Sequence, residues 1–121
     1  MSTTLENLNW RYATKKFDPS KKVSNQDLET ILKAIQLSPS SYGLQPYHIL
    51  VITDADTRKE LQPASWNQSQ IVDASHMLVF AVKSEFGSEL VDDYLENVSV
   101  TRGMDIENLK GYGDFMKSKL L

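Results

Sequence analysis

The stretch SPSSYGLQPYHILVI, Ser38 to Ile52, is where the chain changes from one kind of structure to another. Its first half ends a helix. Pro39 biases Ser38 away from the α region, so the apolar residues Leu28, Ile31, Leu32 and Ile35, spaced i, i+3, i+4, i+7, predict a helix that stops near Leu37. Its second half begins a strand. Tyr47 to Thr53 is rich in β-branched and aliphatic residues and is entered at Pro46, where a missing N–H is tolerated. Between them lies Pro39-Ser40-Ser41-Tyr42-Gly43-Leu44-Gln45-Pro46. Small residues let a planar ligand approach the backbone, and serine hydroxyls can bond its edge. An ordinary helix-to-strand connection uses the same residue types.

Working outward, Leu5, Leu8 and Trp10 predict a short amphipathic turn that leads into the basic segment RYATKKFDPSKK, residues 11–22, closed by a turn at Asp18-Pro19. Ser24 with Asp27 resembles a capping box for the helix that follows. Downstream, TDADTRKELQ predicts a short capped helix, and a polar stretch surrounds Trp66. MLVFAV, Met77 to Val82, is apolar on both faces, which suits a central strand covered on both sides. Leu90, Val91, Tyr94, Leu95 and Val98 restore a helical period. A weaker helical pattern, broken by Gly111 and Gly113, runs through Ile106, Leu109, Phe115, Met116 and Leu120. Two strands make a poor sheet, so further strands are expected from another chain or from a longer protein.

Composition narrows the chemistry. A length of 121 residues allows one domain at most. A formal charge of -3 gives no bulk attraction for nucleic acid or an anionic membrane, and no segment nears the roughly 20 apolar residues of a membrane span. A cytoplasmic location is expected. There is no cysteine, hence no disulfide, thiolate metal site or cysteine nucleophile. His48 and His76 each stand at the mouth of a strand without an acidic partner at ligand spacing, so no metal site is expected. Glycine-rich phosphate loops and the serine-hydrolase elbow are missing. The aromatics do not interleave with the basic residues as a base-stacking platform requires.

Two further groups of residues could bind a ligand. Arg11, Lys15 and Lys16, with Lys21 and Lys22 behind them, could form a compact anion site, since arginine takes a phosphate by two parallel hydrogen bonds and lysine adds a mobile charge. By spacing alone, a solvated basic face is the commoner outcome. Asn67 and Gln70 each offer a donor and an acceptor, which match the edge of a heterocycle such as a flavin pyrimidine or a purine. Helix capping by Asn67 and an exposed Gln70 are the commoner outcome for such residues.

Taken in order, RYATKKFD, the helix ending in SPSSYGLQPYHILVI, and NQSQIVDASHMLVFAV resemble the nitroreductase family of FMN-dependent oxidoreductases. The resemblance implies an α+β fold, helices packed around a mixed sheet, with residues 1–121 as a single nitroreductase-like domain incomplete at its C-terminus. It implies an intertwined homodimer with no nucleic-acid or membrane partner. It also implies transfer of electrons from NADH or NADPH to a nitroaromatic, quinone or similar acceptor by a ping-pong mechanism, the chemistry belonging to the cofactor and no side chain being catalytic. By the same resemblance, Arg11 and Lys15 hold the FMN phosphate, ribityl chain and pyrimidine edge, with the backbone of Tyr12 and Ala13 nearby. Asn67 and Gln70 face the pyrimidine side. Pro39, Ser40 and Ser41 reach a flavin bound mainly by the other subunit.

The chain departs from the family in three ways. Many relatives carry lysine at the Gln70 position and serine at the Ala13 position, and they are longer. The competing expectation is a truncated, non-catalytic fragment that associates through exposed strands.

Overall fold

The helical period ahead of Pro39 folds as expected. In the computed structural model, which describes residues 3–121, helix α2 spans Asn25–Leu37 and begins directly after Ser24. Its last turn closes with the amide of Ser38 donating to Ile35 O (3.1 Å) and the Ser38 hydroxyl to Ala34 O (2.9 Å). Before it, α1 (Thr4–Trp10) starts with a reciprocal capping box between Thr3 and Glu6. After it come β1 (Tyr47–Ile52), α3 (Ala55–Leu61), α4 (Gln70–Asp73), β2 (Met77–Val82), α5 (Ser88–Arg102) and α6 (Lys110–Leu120). Three short 3₁₀ turns, Ser41–Gly43, Pro63–Ser65 and Ile106–Leu109, fill the connections. Among the described residues no helix is long and apolar enough to cross a membrane.

The strands pair in a two-stranded sheet. The amide of Lys83, just past β2, donates to the carbonyl of Pro46, just before β1, at 2.9 Å. The end of one strand therefore meets the start of the other, and they run antiparallel. The expected double-sided cover of β2 is not present: Met77, Leu78 and Val79 are half-buried, whereas Phe80 and Val82 are 57% and 75% exposed. Pairing with β1 occupies an edge of β2, and the faces of a strand are covered by other layers, which among the described residues leave Phe80 and Val82 open.

The chain divides into two compact units. One takes the chain up to Asn25 and then Val51–Leu78; the other takes Gln26–Leu50 and Val79–Leu121. The second unit contains the apolar core. Val91 and Leu95 of α5, Leu109 of the third 3₁₀ turn and Met116 of α6 are buried together, with Tyr42, Leu44, Tyr94, Val98 and Leu120 packed around them. Burying each such side chain is worth about 1.5–3 kcal/mol. α5 ends at Gly103, whose φ of 62° lets its own N–H and that of Met104 both return to Ser99 O. Helix α6 runs unbroken through Gly111 and Gly113, contrary to the sequence reading. Gly113 faces the core, and a Cβ there would stand 2.6 Å from Leu95 Cδ1, so glycine permits close helix packing where its poor helix propensity suggested a break.

The first unit is built differently. α3 is capped by Asp54, whose carboxylate accepts from the Thr57 N–H (2.7 Å) and hydroxyl (2.6 Å), and α3 packs against α4. Among the described residues of this unit the one that is fully buried is a cation, Arg58.

Candidate functional site

The basic segment has no regular structure. Arg11 caps α1 through its backbone N–H to Asn7 O, and the chain then runs irregularly to Ser24, with every residue exposed. The expected turn at Asp18-Pro19 is present: Lys21 N donates to Asp18 O, and the Ser20 hydroxyl and then its N–H hold the Asp18 carboxyl below its ordinary value. Lys21 reaches Asp18 at 3.9 Å, a solvated pair of little energetic weight. Among the described residues neither Arg11 nor Lys15 makes an ion pair or a side-chain hydrogen bond. The segment's far end is tied down where the Val23 N–H donates to Ser75 Oγ (2.8 Å), whose neighbour on the other side is His76 Nδ1 (2.9 Å).

The amide pair lies in the same compact unit as this segment. Asn67 is exposed and does not cap α4, since Ser69 holds the position before Gln70. Instead Trp66 and Asn67 both have φ of 54°. Left-handed backbone costs a non-glycine residue roughly 1–2 kcal/mol, less for asparagine, and Trp66, 87% exposed, recovers nothing by packing. Gln62 supports the turn. Its carbonyl accepts the Asn67 N–H at 3.0 Å, and its side-chain Nε2 donates to Asn67 O and Gln68 O, both at 3.4 Å. Gln70, the first residue of α4, is half-buried. Neither the Asn67 nor the Gln70 side-chain amide has a hydrogen-bond partner among the described residues.

The serine loop belongs to the other unit. Pro39 and Ser41 are exposed and Ser40 is half-buried, its hydroxyl accepting the Gln45 N–H at 3.1 Å, while Gln45 Nε2 donates to Gln36 O at 2.8 Å. This loop too carries left-handed residues, Tyr42 (φ 54°) and Gln45 (φ 43°), beside Gly43 at φ 76°. Gly43 is required twice over: by its φ, and because a Cβ would meet the Tyr94 hydroxyl at 3.1 Å.

The four left-handed non-glycine residues among the described residues therefore divide between the serine loop and the turn before Gln70, the two loops singled out from sequence. Strain of this kind persists where surrounding bonds over-determine it, and it collects at ligand sites. The sequence reading missed the left-handed turn, for which Asn67 is the one local signal, and it missed the buried Arg58, for which there is none.

The nitroreductase family model matches residues 8–117. A Staphylococcus epidermidis protein named "Putative NAD(P)H nitroreductase" is 45% identical over 84 residues, which cover 68% of this chain and 38% of the relative. The matched stretch thus covers well under half the length of that relative. Among solved structures, a nitroreductase-like protein from Streptococcus mutans superimposes with a TM-score of 0.79 over 97% of this chain and 58% of its own, at 16% identity. A "putative nitroreductase in complex with FMN" from Exiguobacterium sibiricum gives 0.73 over 98% and 57%, at 21% identity. At such identities the structural likeness concerns the fold.

Proposed function

Because this chain belongs to the nitroreductase family and has its α+β fold, we propose that it serves an FMN-dependent oxidoreductase passing electrons from NADH or NADPH to a nitroaromatic, quinone or similar small acceptor. The observation that carries this reading is that, among the described residues, the cations of Arg11 and Lys15 and the amides of Asn67 and Gln70, all in the first unit, have no side-chain partner. Cations without internal carboxylates suit a phosphate tail. Amides with neither donor nor acceptor engaged suit the edge of a pyrimidine. FMN, when bound, supplies the electron-transfer chemistry that no side chain of this chain offers.

In this reading Arg11 and Lys15 bind the phosphate, the ribityl chain and the near edge of the ring, with the Tyr12 and Ala13 backbone alongside. Asn67 and Gln70 orient the pyrimidine. Lys15, assisted by Gln70, favours negative charge at that edge, and a neutral glutamine does so less than a lysine would, which lowers the flavin potential. Pro39, Ser40 and Ser41 are assigned to the flavin held mainly by the second subunit of a homodimer, and no side chain is assigned a catalytic role. The nicotinamide leaves before the acceptor enters, so the kinetics are ping-pong.

The test is a titration of the purified chain with FMN. A yellow protein that bleaches anaerobically with NADH or NADPH, and whose Arg11→Ala variant releases FMN more readily with a steep dependence on salt, is the expected result. Unchanged FMN affinity in Arg11→Ala removes that residue from the site. A second reading, a non-catalytic fragment associating through its strands, is favoured by the exposed Leu50, Phe80 and Val82. It predicts colourless protein that cannot be loaded with FMN.

A further inference from the structure

The segment that carries the amide pair is held at both ends from one side of α3. Arg58 and Gln62 stand four residues apart and so share a helix face. At the far end, Arg58 Nη1 donates to the carbonyl of Ala74, the residue that caps α4. At the near end, Gln62 grips the left-handed turn through its carbonyl to Asn67 N and its amide to Asn67 O and Gln68 O. Asn67 and Gln70 lie between these two anchors.

The nature of the far anchor is informative. Arg58 is only 4% exposed, forms no ion pair among the described residues, and its Nε is buried with no hydrogen-bond partner. A desolvated, incompletely bonded cation is a poor device for stability, since an apolar side chain of similar size commonly does as well or better. What the guanidinium does that a methionine cannot is hold one carbonyl in one place. The two consecutive left-handed residues at the other end likewise need an external hold, because their own conformational preference works against them.

We propose that Arg58 and Gln62 are positioning residues, a two-point clamp that sets the spacing and orientation of the Asn67 and Gln70 amides for the ring edge of a flavin. The proposal rests on the assignment of those amides to the pyrimidine. Its signature follows from where it acts. Loosening the clamp weakens contacts to the ring and leaves those to the phosphate, so FMN and riboflavin lose affinity by the same factor. Loss of Arg11, by contrast, penalises FMN more than riboflavin, which lacks the phosphate.

The experiment uses the full chain in wild-type, Arg58→Met, Arg58→Lys and Gln62→Ala forms, with Asn67→Ala and Gln70→Ala beside them. Backbone NMR of the ligand-free proteins reads the conformation of residues 66–70, flavin fluorescence reads binding of FMN and riboflavin, and thermal melts read stability. Arg58→Met and Gln62→Ala are expected to lose the single left-handed conformation at Asn67 and to bind both flavins about tenfold more weakly, the effect of one hydrogen bond. The melting temperature of Arg58→Met should stay level or rise, and Arg58→Lys, which retains a cationic N–H donor, should restore most of the affinity. Clamp variants that bind both flavins like the wild type, while Asn67→Ala and Gln70→Ala bind them weakly, overturn the clamp and leave the assignment of the amides standing. If Asn67→Ala and Gln70→Ala also bind like the wild type, or the wild type binds neither flavin, both the clamp and the assignment fail.

Discussion

Two glycines two residues apart in α6 are predicted to respond in opposite directions to the same substitution. Alanine at either position gains roughly 0.5–1 kcal/mol of helix propensity over glycine. At Gly111 an added Cβ meets nothing within 4 Å, so the gain stands alone. At Gly113 it meets Leu95 Cδ1 at 2.6 Å, against a favourable carbon–carbon separation of about 3.5–4 Å, so the two helices must open by about 1 Å or Leu95 must turn. Leu95 is 6% exposed and packs with Val91, Leu109 and Met116 in the core cluster, so swinging its end away from Gly113 disturbs those contacts. Overpacking of this size costs about 1–3 kcal/mol.

The difference between Gly111→Ala and Gly113→Ala cancels the propensity gain and isolates the contact at about 1–3 kcal/mol. At roughly 4 °C per kcal/mol for a chain of this size, the two variants should melt roughly 4–12 °C apart by far-UV circular dichroism, Gly111→Ala above the wild type and Gly113→Ala level with it or below. Combining Gly113→Ala with Leu95→Ala removes the opposing methyl, so the penalty for alanine should vanish in the double-mutant cycle. If both single variants rise together, α5 and α6 do not meet at Gly113 and the packing argument is wrong.

Met116, with no exposed surface at the centre of the same cluster, should cost about 2–5 kcal/mol when changed to alanine, read as a fall in the urea midpoint at unchanged slope. The cap of α3 should make itself known through pH. The Thr57 hydroxyl, and then its N–H, hold the Asp54 carboxyl below its ordinary value of 3.8. Its contribution is therefore complete above the unfolded-state value and is lost as pH falls through the lower folded-state one. Asparagine caps without titrating, so the stability difference between wild type and Asp54→Asn should shrink as pH drops below about 4. A difference that stays constant across that range removes the carboxylate from the cap.

Where a residue's neighbours in sequence decide its conformation, the expectation and the structure agree. Pro39 ends α2 through a clash with the residue before it, Asp54 starts α3 by bonding three residues ahead, and the Asp18-Pro19 turn forms as read. Each of these depends on atoms within one turn of chain. The polar groups at Arg11, the serine loop and Asn67 also stand out in the sequence, because hydrogen-bonding capacity is carried by residue type. The errors lie where distant chain intervenes: Gly113 reads as a helix breaker until Leu95 is set against it, and β2 reads as a covered strand until Phe80 and Val82 are found exposed.

The order of the longer helices and strands, the caps of α1 and α3, and the identity of the polar groups follow from the amino-acid sequence by itself, since they are properties of short spans and of side-chain chemistry. The tertiary structure alone decided that α6 survives its glycines, that Asn67 adopts the left-handed conformation in place of a helix cap, and that Arg58 is buried. Burial and strain are set by what packs across long separations in the chain, and no local pattern of residues encodes the partner that arrives from the other side.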